Sequence, residues 1–300
     1  MNDYRHDIDL IKGIAIIGVI FYHIGLLPYG FLGVDAFLTI TGFLIIPNII
    51  KNFSDKQFNY FSWLKRRLFR IWPITLAACI IALIVGYFVM IPDSYENLSE
   101  SVVASNFFAN NILAAITTKN YWDTTNEFKP LMQMWYLGVL GQFYVLFPII
   151  LLLIGLIFKR FKKKISFWII TVLILGIGSI VWYLIPGLPY TLKFYFVQFR
   201  LWEFLTGGLI GIMVRRTQFR IKLSKNLSVV LILLFCCVLC LGVQGIDKLN
   251  SITIVGDTAS QSNPVFKMLF TILTVLLTSL ILLTNVKMGG VFCKLSEKCL

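Results

Sequence analysis

The fold is decided by residues 4–45, which read YRHDIDLIKGIAIIGVIFYHIGLLPYGFLGVDAFLTITGFLI. Two apolar runs, near residues 8–28 and 31–50, lie on either side of Pro28-Tyr29-Gly30. A spanning helix needs roughly 20 apolar residues to cross a hydrocarbon core about 30 Å thick. The stretch therefore predicts two membrane helices that fold back on each other. The first run is expected to be a retained anchor, because it lacks the short apolar region and cleavage site of a signal peptide.

This hairpin contains ionisable groups that a lipid-facing segment would exclude. Lys12 and His23 are eleven residues apart, which places them on one helix face, roughly 16 Å from each other. Asp35 follows Tyr29 by six residues and His23 precedes it by six, so we predict that the two side chains lie at similar depth and pair. Ionisable side chains at membrane depth are costly and mark functional pathways. We interpret His23 as a general base, because a neutral imidazole can accept a proton from an attacking hydroxyl.

Both residues also have simpler interpretations. A membrane histidine can serve packing alone, with its ring bonded to a helix carbonyl, and a lysine near a helix end can extend to the membrane surface. The other histidine, His6, lies at the N-terminal tip. No serine or cysteine stands near His23 in the sequence as a nucleophile, which favours direct attack over a covalent intermediate.

The composition is that of a membrane protein. Of the 300 residues, 58% are hydrophobic and 14% are charged, whereas soluble domains carry about 25% charged residues. The net charge of +13 falls in short clusters between apolar runs, as the positive-inside rule requires, and not on one basic face that would bind nucleic acid. We predict an all-α polytopic bundle with a single domain over residues 1–300, embedded in the bilayer and without a nucleic-acid partner.

Apolar runs of spanning length predict about eight membrane helices. The connections 51–72, 159–164 and 215–225 are rich in Lys and Arg, whereas 93–129 carries an excess of acids. The positive-inside rule then places the N- and C-termini in the cytosol. The eight runs lie near residues 8–28, 31–50, 73–92, 131–158, 166–185, 194–214, 227–246 and 265–284.

Residues 98–116 are apolar but are interrupted by Asn106, Asn110 and Asn111. A full span here would break the alternation of loop charges, so we predict an external interfacial or re-entrant helix. Such a helix could line an acceptor site or be a plain surface helix. Further along, Gly207-Gly208-x-x-Gly211 predicts a small-residue packing patch between helices.

The six cysteines predict neither disulfides nor a metal site. They lie in apolar runs or in segments placed on the cytosolic side, so no disulfide framework is implied. Cys237 and Cys240 have metal-ligand or redox spacing, but they lie inside an uninterrupted apolar run without a second Cys or His pair nearby. We interpret them as small hydrophobic packing residues.

Two further motifs contain charges close to or inside apolar runs. Arg66, Arg67 and Arg70 stand at the predicted cytosolic end of one run. They are suited to a phosphate clamp, or they anchor the helix among lipid headgroups. Arg200 and Glu203 fall inside another run, where charges should pair with each other or face a polar cavity.

Several of these motifs together resemble the acyltransferase 3 family. The similarity rests on Tyr4-Arg5-x-Asp7-x-Asp9, the spacing of Lys12 and His23, residues 31–45, the arginine run at 63–73, residues 129–144 and residues 199–204. Members of this family are polytopic enzymes, commonly with about ten spans. They transfer acyl groups, usually acetyl from acetyl-CoA, to hydroxyls of cell-envelope carbohydrates.

The resemblance implies an O-acyltransferase of the bacterial inner (plasma) membrane. Acetyl-CoA would be a co-substrate, with no bound cofactor, and the acceptor would be a sugar of a surface polysaccharide, lipopolysaccharide or peptidoglycan. Leu140 and Gly141 stand where the family often has acids, and Gln133 where it often has histidine, so roles resting on those groups are not implied. The implied site residues are, for catalysis, His23, Asp35, Lys12 and Glu203; for acyl-CoA, Arg66, Arg67 and Arg70; and for the cavity or acceptor, Arg5, Asp7, Trp135, Gln142, Tyr144 and Arg200.

Two other functions stay open on the sequence. Compared with the family, the chain is expected to lack the last two spans, which would make it a fragment or an inactive truncated product. Buried charges could also line the pathway of a glycan or lipid-intermediate transporter, but the inverted repeats and paired broken helices typical of transporters are not evident. Replacing His23 with Ala separates enzyme from transporter, because only the enzyme loses acyl ester while glycan export continues.

Overall fold

Every secondary-structure element in the described residues is helical, as predicted. The computed structural model describes residues 5–27, 29–55, 58–117, 129–158, 160–161, 164–216, 225–240 and 264–284. Short 3-10 turns at Gly30–Leu32 and Met132–Met134 precede α2 and α6. The helices are α1 His6–His23, α2 Gly33–Ser54, α3 Tyr60–Val89, α4 Pro92–Asn106, α5 Asn110–Thr117, α6 Trp135–Ile157, α7 Ile165–Leu184, α8 Tyr190–Tyr195, α9 Val197–Arg216, α10 Lys225–Cys240 and α11 Pro264–Thr284.

Five of these helices are long and apolar enough to cross a membrane. The apolar part of α10, Asn226–Cys240, and that of α11, Met268–Thr284, are shorter. The helix α1 has 18 residues, three of which, Asp7, Asp9 and Lys12, are charged, and it is not among the five. The described residues of the eight predicted runs lie mostly on helices, while the count of eight spans stays a prediction. The five candidate spans are Gly30–Phe53, Tyr60–Val89, Met132–Ile157, Ile165–Leu184 and Val197–Arg215.

The basic connection predicted at 51–72 is largely part of α3. This helix begins at Tyr60 after Asn59, whose side chain accepts a hydrogen bond from the backbone N–H of Ser62 at 3.0 Å, a typical N-cap. It has 30 residues, which makes it about 45 Å long at 1.5 Å per residue. Since a bilayer core is about 30 Å thick, the first turns that carry the arginines extend beyond a core centred on the apolar part.

The interrupted segment at 98–116 forms parts of two short helices, α4 and α5. They have 15 and 8 residues, or about 22 and 12 Å of helix. Phe108, between them, has a φ of 55°, which breaks the helical path. Neither helix is long enough to span a bilayer, in agreement with the sequence prediction.

The chain divides into two compact units. The hairpin unit contains residues 1–48 and 203–300, and the middle unit contains residues 49–202. The helices α2 and α9 each contribute residues to both units. The single domain expected from the sequence stays a prediction. In the hairpin unit α1, α2, α10 and α11 share one apolar core, whose fully buried members include Ile11, Leu32, Phe235 and Ile281. In the middle unit a smaller core joins Cys79, Leu98 and Leu131.

Glycines bring α2 and α9 into backbone contact within the hairpin unit. A Cβ on Gly207 would overlap the carbonyl of Thr39, and one on Gly42 would overlap the carbonyl of Phe204. The predicted small-residue patch is therefore confirmed. Because Gly42 meets Phe204 while Ile46 meets Gly208, the two helices run parallel.

Replacing Gly207 with Ala is expected to destabilise the protein. The new methyl group has no space beside the Thr39 carbonyl, so the helices must separate, at a cost of about 1–3 kcal/mol or more. Thermal unfolding of purified protein in detergent measures the effect. Gly178 in α7 has nothing within 4 Å of a Cβ and provides the control. Equal melting temperatures for G207A and G178A would contradict the packing described here.

Candidate functional site

Lys12 and His23 lie on one continuous helix. The helix α1 runs without interruption from His6 to His23, so the predicted shared face is confirmed. Lys12 is about one-third exposed and its Nζ lies 3.8 Å from a carboxylate oxygen of Asp9. His23 ends the helix, is exposed, and packs its ring edge-on against Tyr22 with centroids 5.2 Å apart. The imidazole therefore lies at the surface of the protein, next to the exposed apolar side chains of Ile20 and Ile24.

Asp35 does not lie at the depth of His23, and that prediction is wrong. The chain returns with Gly30 against the carbonyl of Gly18, and then with Gly33 against that of Ala15. Gly18 and Gly30 thus lie at the same depth. His23 is five residues after Gly18 and Asp35 is five residues after Gly30, and because the two segments are antiparallel these offsets point in opposite directions. The two are thus on the order of 15 Å apart along the helix axis. The cause is the glycine contact, which packs the start of α2 beside the middle of α1 and not beside its end.

Asp35 is instead close in depth to a second buried carboxyl group. Asp35 is 1% exposed and Glu203 is 2% exposed. The contacts between the parallel helices α2 and α9 place Glu203 at the level of residues 37–41 of α2. The depths of the Asp35 and Glu203 carboxyl groups therefore differ by roughly 3–9 Å. The contact of Gly33 with the carbonyl of Ala15 places Asp35 near the level of Lys12 on α1. The structure thus places Lys12, Asp35 and Glu203 in one layer of the hairpin unit, apart from His23.

Arg5 and Asp7 form a bidentate ion pair. The Nε and Nη2 atoms of Arg5 donate to the two carboxylate oxygens of Asp7 at 2.8 and 2.6 Å, and Nη2 also donates to the carbonyl of Leu282 at 2.9 Å. Asp7 is buried. A bidentate pair of this kind is among the stronger protein hydrogen bonds. These contacts attach the start of α1 to the end of α11, while the cavity or acceptor role of the pair stays a prediction.

Arg215 lies in the same cluster. Its guanidinium carbon is 5.6 Å from the ring centre of Phe43, and that of Arg5 is 5.5 Å from the same ring, both within cation–π range. Arg215 also donates to the side-chain oxygen of Asn48 at 2.9 Å. The start of α1 thus meets the later part of α2 and the ends of α9 and α11, four helix segments that the predicted topology places on the cytosolic side.

In the middle unit, two of the three arginines of α3 are exposed. Arg66 and Arg70 are exposed and one helical turn apart, while Arg67 is half-buried with its guanidinium carbon 6.0 Å from the ring centre of Trp63. Trp63 in turn packs edge-on against Tyr144, with ring centroids 5.9 Å apart. Among the described residues, no aromatic ring packs on the guanidinium groups of Arg66 and Arg70, and both groups are suited to bind phosphate.

Trp135 and Arg200 pack together in the same unit. The guanidinium carbon of Arg200 lies 5.3 Å from the ring centre of Trp135 and 4.7 Å from that of Phe194, and its Nε donates to the carbonyl of Phe194 at 2.7 Å. Arg200 is buried, and contacts of this type stabilise a buried guanidinium. The geometry joins α8 to α6 and α9, and a role of these residues towards an acceptor stays a prediction.

Gln142 is paired with Asn111. Each side-chain amide donates to the other, at 3.1 Å from Asn111 and 2.8 Å from Gln142. Asn111 also donates to the carbonyl of Tyr195 at 3.0 Å, and Gln142 to that of Phe108 at 3.2 Å. The pair therefore fixes α5 against α6 and α8.

Replacing Asn111 with Ala is expected to lower stability by about 1–3 kcal/mol, because it leaves the Gln142 amide and the Tyr195 carbonyl without these bonds. Thermal unfolding in detergent measures the change. Asn97→Ala is the control, since Asn97 is exposed and bonds only within its own helix, to the carbonyl of Asp93. If Asn111→Ala and Gln142→Ala had fully additive effects in the double variant, the reciprocal bond would be disproved.

The partners of Gln142 and Arg200 are not evident from the sequence. Asn110 and Asn111 were interpreted as interruptions of an apolar segment, although both are buried. Two adjacent amides in an apolar stretch could have suggested a buried hydrogen-bonding position. Phe194 gave no signal that distinguishes it from other aromatic residues.

The chain was compared with known protein families. The profile of the acyltransferase 3 family, described as an acyltransferase domain, matches residues 5–292. No solved structure matches the chain.

Individual relatives extend this finding. A Staphylococcus aureus (strain MSSA476) protein with the name "Putative O-acetyltransferase" is 32% identical over 58% of this chain and 29% of its own length. The peptidoglycan O-acetyltransferase OatA of Listeria monocytogenes is 26% identical over 77% of this chain and 39% of its length. An uncharacterised Haemophilus influenzae protein is 26% identical over 68% of this chain and 85% of its length. The chain thus spans less than a third of the Staphylococcus relative.

Proposed function

Because the chain belongs to the acyltransferase 3 family, we propose that it transfers an acetyl group from acetyl-CoA to a hydroxyl of a cell-envelope carbohydrate. The observation that carries this proposal is the family match over residues 5–292. The Listeria relative is by name a peptidoglycan O-acetyltransferase, which favours an envelope glycan as the acceptor. The apolar helices and the clustered basic residues favour a multi-pass protein of the bacterial plasma membrane with cytosolic termini.

In the proposed reaction, His23 is the proton acceptor. The sugar hydroxyl attacks the thioester carbonyl while its proton passes to the imidazole, the carbon–sulfur bond breaks, and the proton then returns to the departing CoA thiolate. Support comes from the exposure of His23 at the end of α1. Since Asp35 lies at another depth, we no longer propose it as the partner that orients the imidazole.

Lys12, Asp35 and Glu203 keep a proposed role in the interior of the hairpin unit. Two carboxyl groups as deeply buried as these are costly in a membrane helix and mark functional positions by default. We propose that this layer lines the path by which the acetyl end of intact acetyl-CoA, or a proton, reaches His23 through the apolar interior. Arg66, Arg67 and Arg70 are proposed to bind the phosphates of acetyl-CoA at the cytosolic side.

Expression of the chain in a bacterium that lacks its own envelope O-acetyltransferases tests the proposal. The glycan is purified, treated with mild base, and analysed for released acetate. Base-labile acetyl esters that require the expressed chain are the expected result. Unmodified glycan in normal amounts at the cell surface would contradict the acyltransferase. A change in surface glycan without esters would indicate a transporter instead.

A further inference from the structure

A polar pocket lies in the middle unit, where α3 ends and α4 and α5 follow. Its apolar lining residues include Leu98 of α4 and Leu113 of α5. The charged and hydroxyl- or amide-bearing side chains around it are Ser94, Asn97, Glu100, Ser101, Thr117 and Lys129. None of these residues belongs to the site described above, so the pocket is a separate feature of the unit.

The walls of this pocket are held by buried contacts. Leu98 packs against Cys79 and Leu131 in the core of the middle unit. The buried side chain of Asn110 donates to the carbonyl of Leu131 at 2.7 Å, which fixes the chain after Pro130 against α5. Asn111 holds α5 against α6 through Gln142. The pocket is therefore preformed, as small-molecule sites usually are.

The charges of the pocket determine what class of ligand it fits. Glu100 and Lys129 contribute one negative and one positive charge, so the site does not favour a polyanion such as CoA. Hydroxyl and amide groups together with apolar lining residues fit a ligand with hydroxyls at its edge and C–H groups on its face. A neutral or N-acetylated sugar ring has these properties.

The pocket lies at the opposite end of α3 from the donor arginines. Arg66 and Arg70 stand in the first turns of this helix, and Met90, which follows its last residue, lines the pocket. The helix is about 45 Å long, more than a bilayer core. The segment after it carries Asp93, Glu96 and Glu100, whereas the start of the helix is basic. By the positive-inside rule the pocket then faces the outside.

We propose that this pocket binds a sugar ring of the acceptor glycan, with Glu100 accepting hydrogen bonds from sugar hydroxyl or amide groups. The assignment rests on the proposed function, because it takes the acceptor to be an external carbohydrate. It adds a substrate subsite on α4 and α5, outside the helices that carry His23 and the donor arginines.

Two pairs of variants test the pocket in purified full-length chain. Glu100→Gln removes the charged acceptor, and Glu96→Gln is the matched control, an exposed glutamate on the same helix that does not line the pocket. Ser101→Trp fills the pocket, and Val103→Trp places the same ring at a position that is 59% exposed and outside the lining. The probe is a chito-oligosaccharide of N-acetylglucosamine, titrated without acetyl-CoA and then used as acceptor.

The expected result is loss of oligosaccharide binding in S101W and a roughly tenfold increase of Kd and acceptor KM in E100Q, since one hydrogen bond to a charged group is lost. The kcat of E100Q at saturating oligosaccharide and the behaviour of both control variants stay unchanged. Wild-type protein that fails to bind the oligosaccharide, or E100Q and S101W that bind it as tightly as wild type, would overturn the subsite. Glu100-dependent binding without any acetyl transfer would instead support the pocket and contradict the acetyltransferase.

Discussion

Replacing His23 with glutamine is expected to lower the rate of acetyl transfer by about 10²–10⁴-fold, the usual contribution of a general base. Glutamine retains a polar side chain but cannot accept the proton of an attacking hydroxyl at neutral pH. Because a protonated imidazole is equally unable to accept it, the wild-type rate should fall as the pH is lowered. The residual rate of H23Q should not decrease as the pH is lowered. Radiolabelled acetyl transfer by purified protein, measured across pH, provides both results.

The matched control is His6, the only other histidine in the chain and the first residue of the same helix. His6→Gln is expected to keep the wild-type rate and its pH dependence. Asp35→Asn should also keep the shape of the pH profile, because Asp35 lies on the order of 15 Å from His23 in depth. An H23Q variant as active as wild type would remove the proposed base, and a flattened profile in D35N would show that the two residues are coupled after all.

Replacing both Arg66 and Arg70 with lysine is expected to raise the KM for acetyl-CoA by roughly tenfold or more, with little effect on kcat, if each guanidinium donates to phosphate. Lysine preserves the positive charge that orients the helix but lacks the planar fork that pairs with phosphate oxygens. The initial rate of CoA release as a function of acetyl-CoA concentration measures the effect.

The double lysine variant separates a phosphate clamp from a topological anchor. An anchor among lipid headgroups needs only charge, so in that case the variant would have wild-type KM. Arg160→Lys is the control, because Arg160 is also exposed and basic but follows α6. An equal rise of KM in R160K would show that the effect is one of general surface charge and not of a site on α3.

Local sequence patterns were sufficient for much of the fold. The helical runs and the shared face of Lys12 and His23 depend on periodicity within one element, and the structure agrees with both. The glycines at 207, 208 and 211 were also informative, because closely spaced small residues let helix backbones approach. Their contacts with α2 follow from that property.

Predictions that needed contacts between elements were less successful. The depth of Asp35 was inferred from a bend centred on Tyr29, but it is set by the packing of Gly30 on Gly18. Likewise, the bond between Asn111 and Gln142 joins residues 31 positions apart, and no local pattern specifies such a pairing. The sequence did not indicate that α3 begins at Tyr60 and includes the arginines of the connection 51–72. The charge of a segment indicates its side of the membrane but not where a helix begins.

The most direct test of the central claim is the product formed by the purified chain from acetyl-CoA and a glycan acceptor. Mass spectrometry of the glycan and a thiol assay are performed on the same samples, with H23Q alongside the wild type. We expect acetyl esters on sugar hydroxyls in amounts equal to the CoA thiol released, and about 10²–10⁴-fold slower formation of both products by H23Q. Thiol release without a glycan ester, or esters formed equally by H23Q, would contradict the central claim.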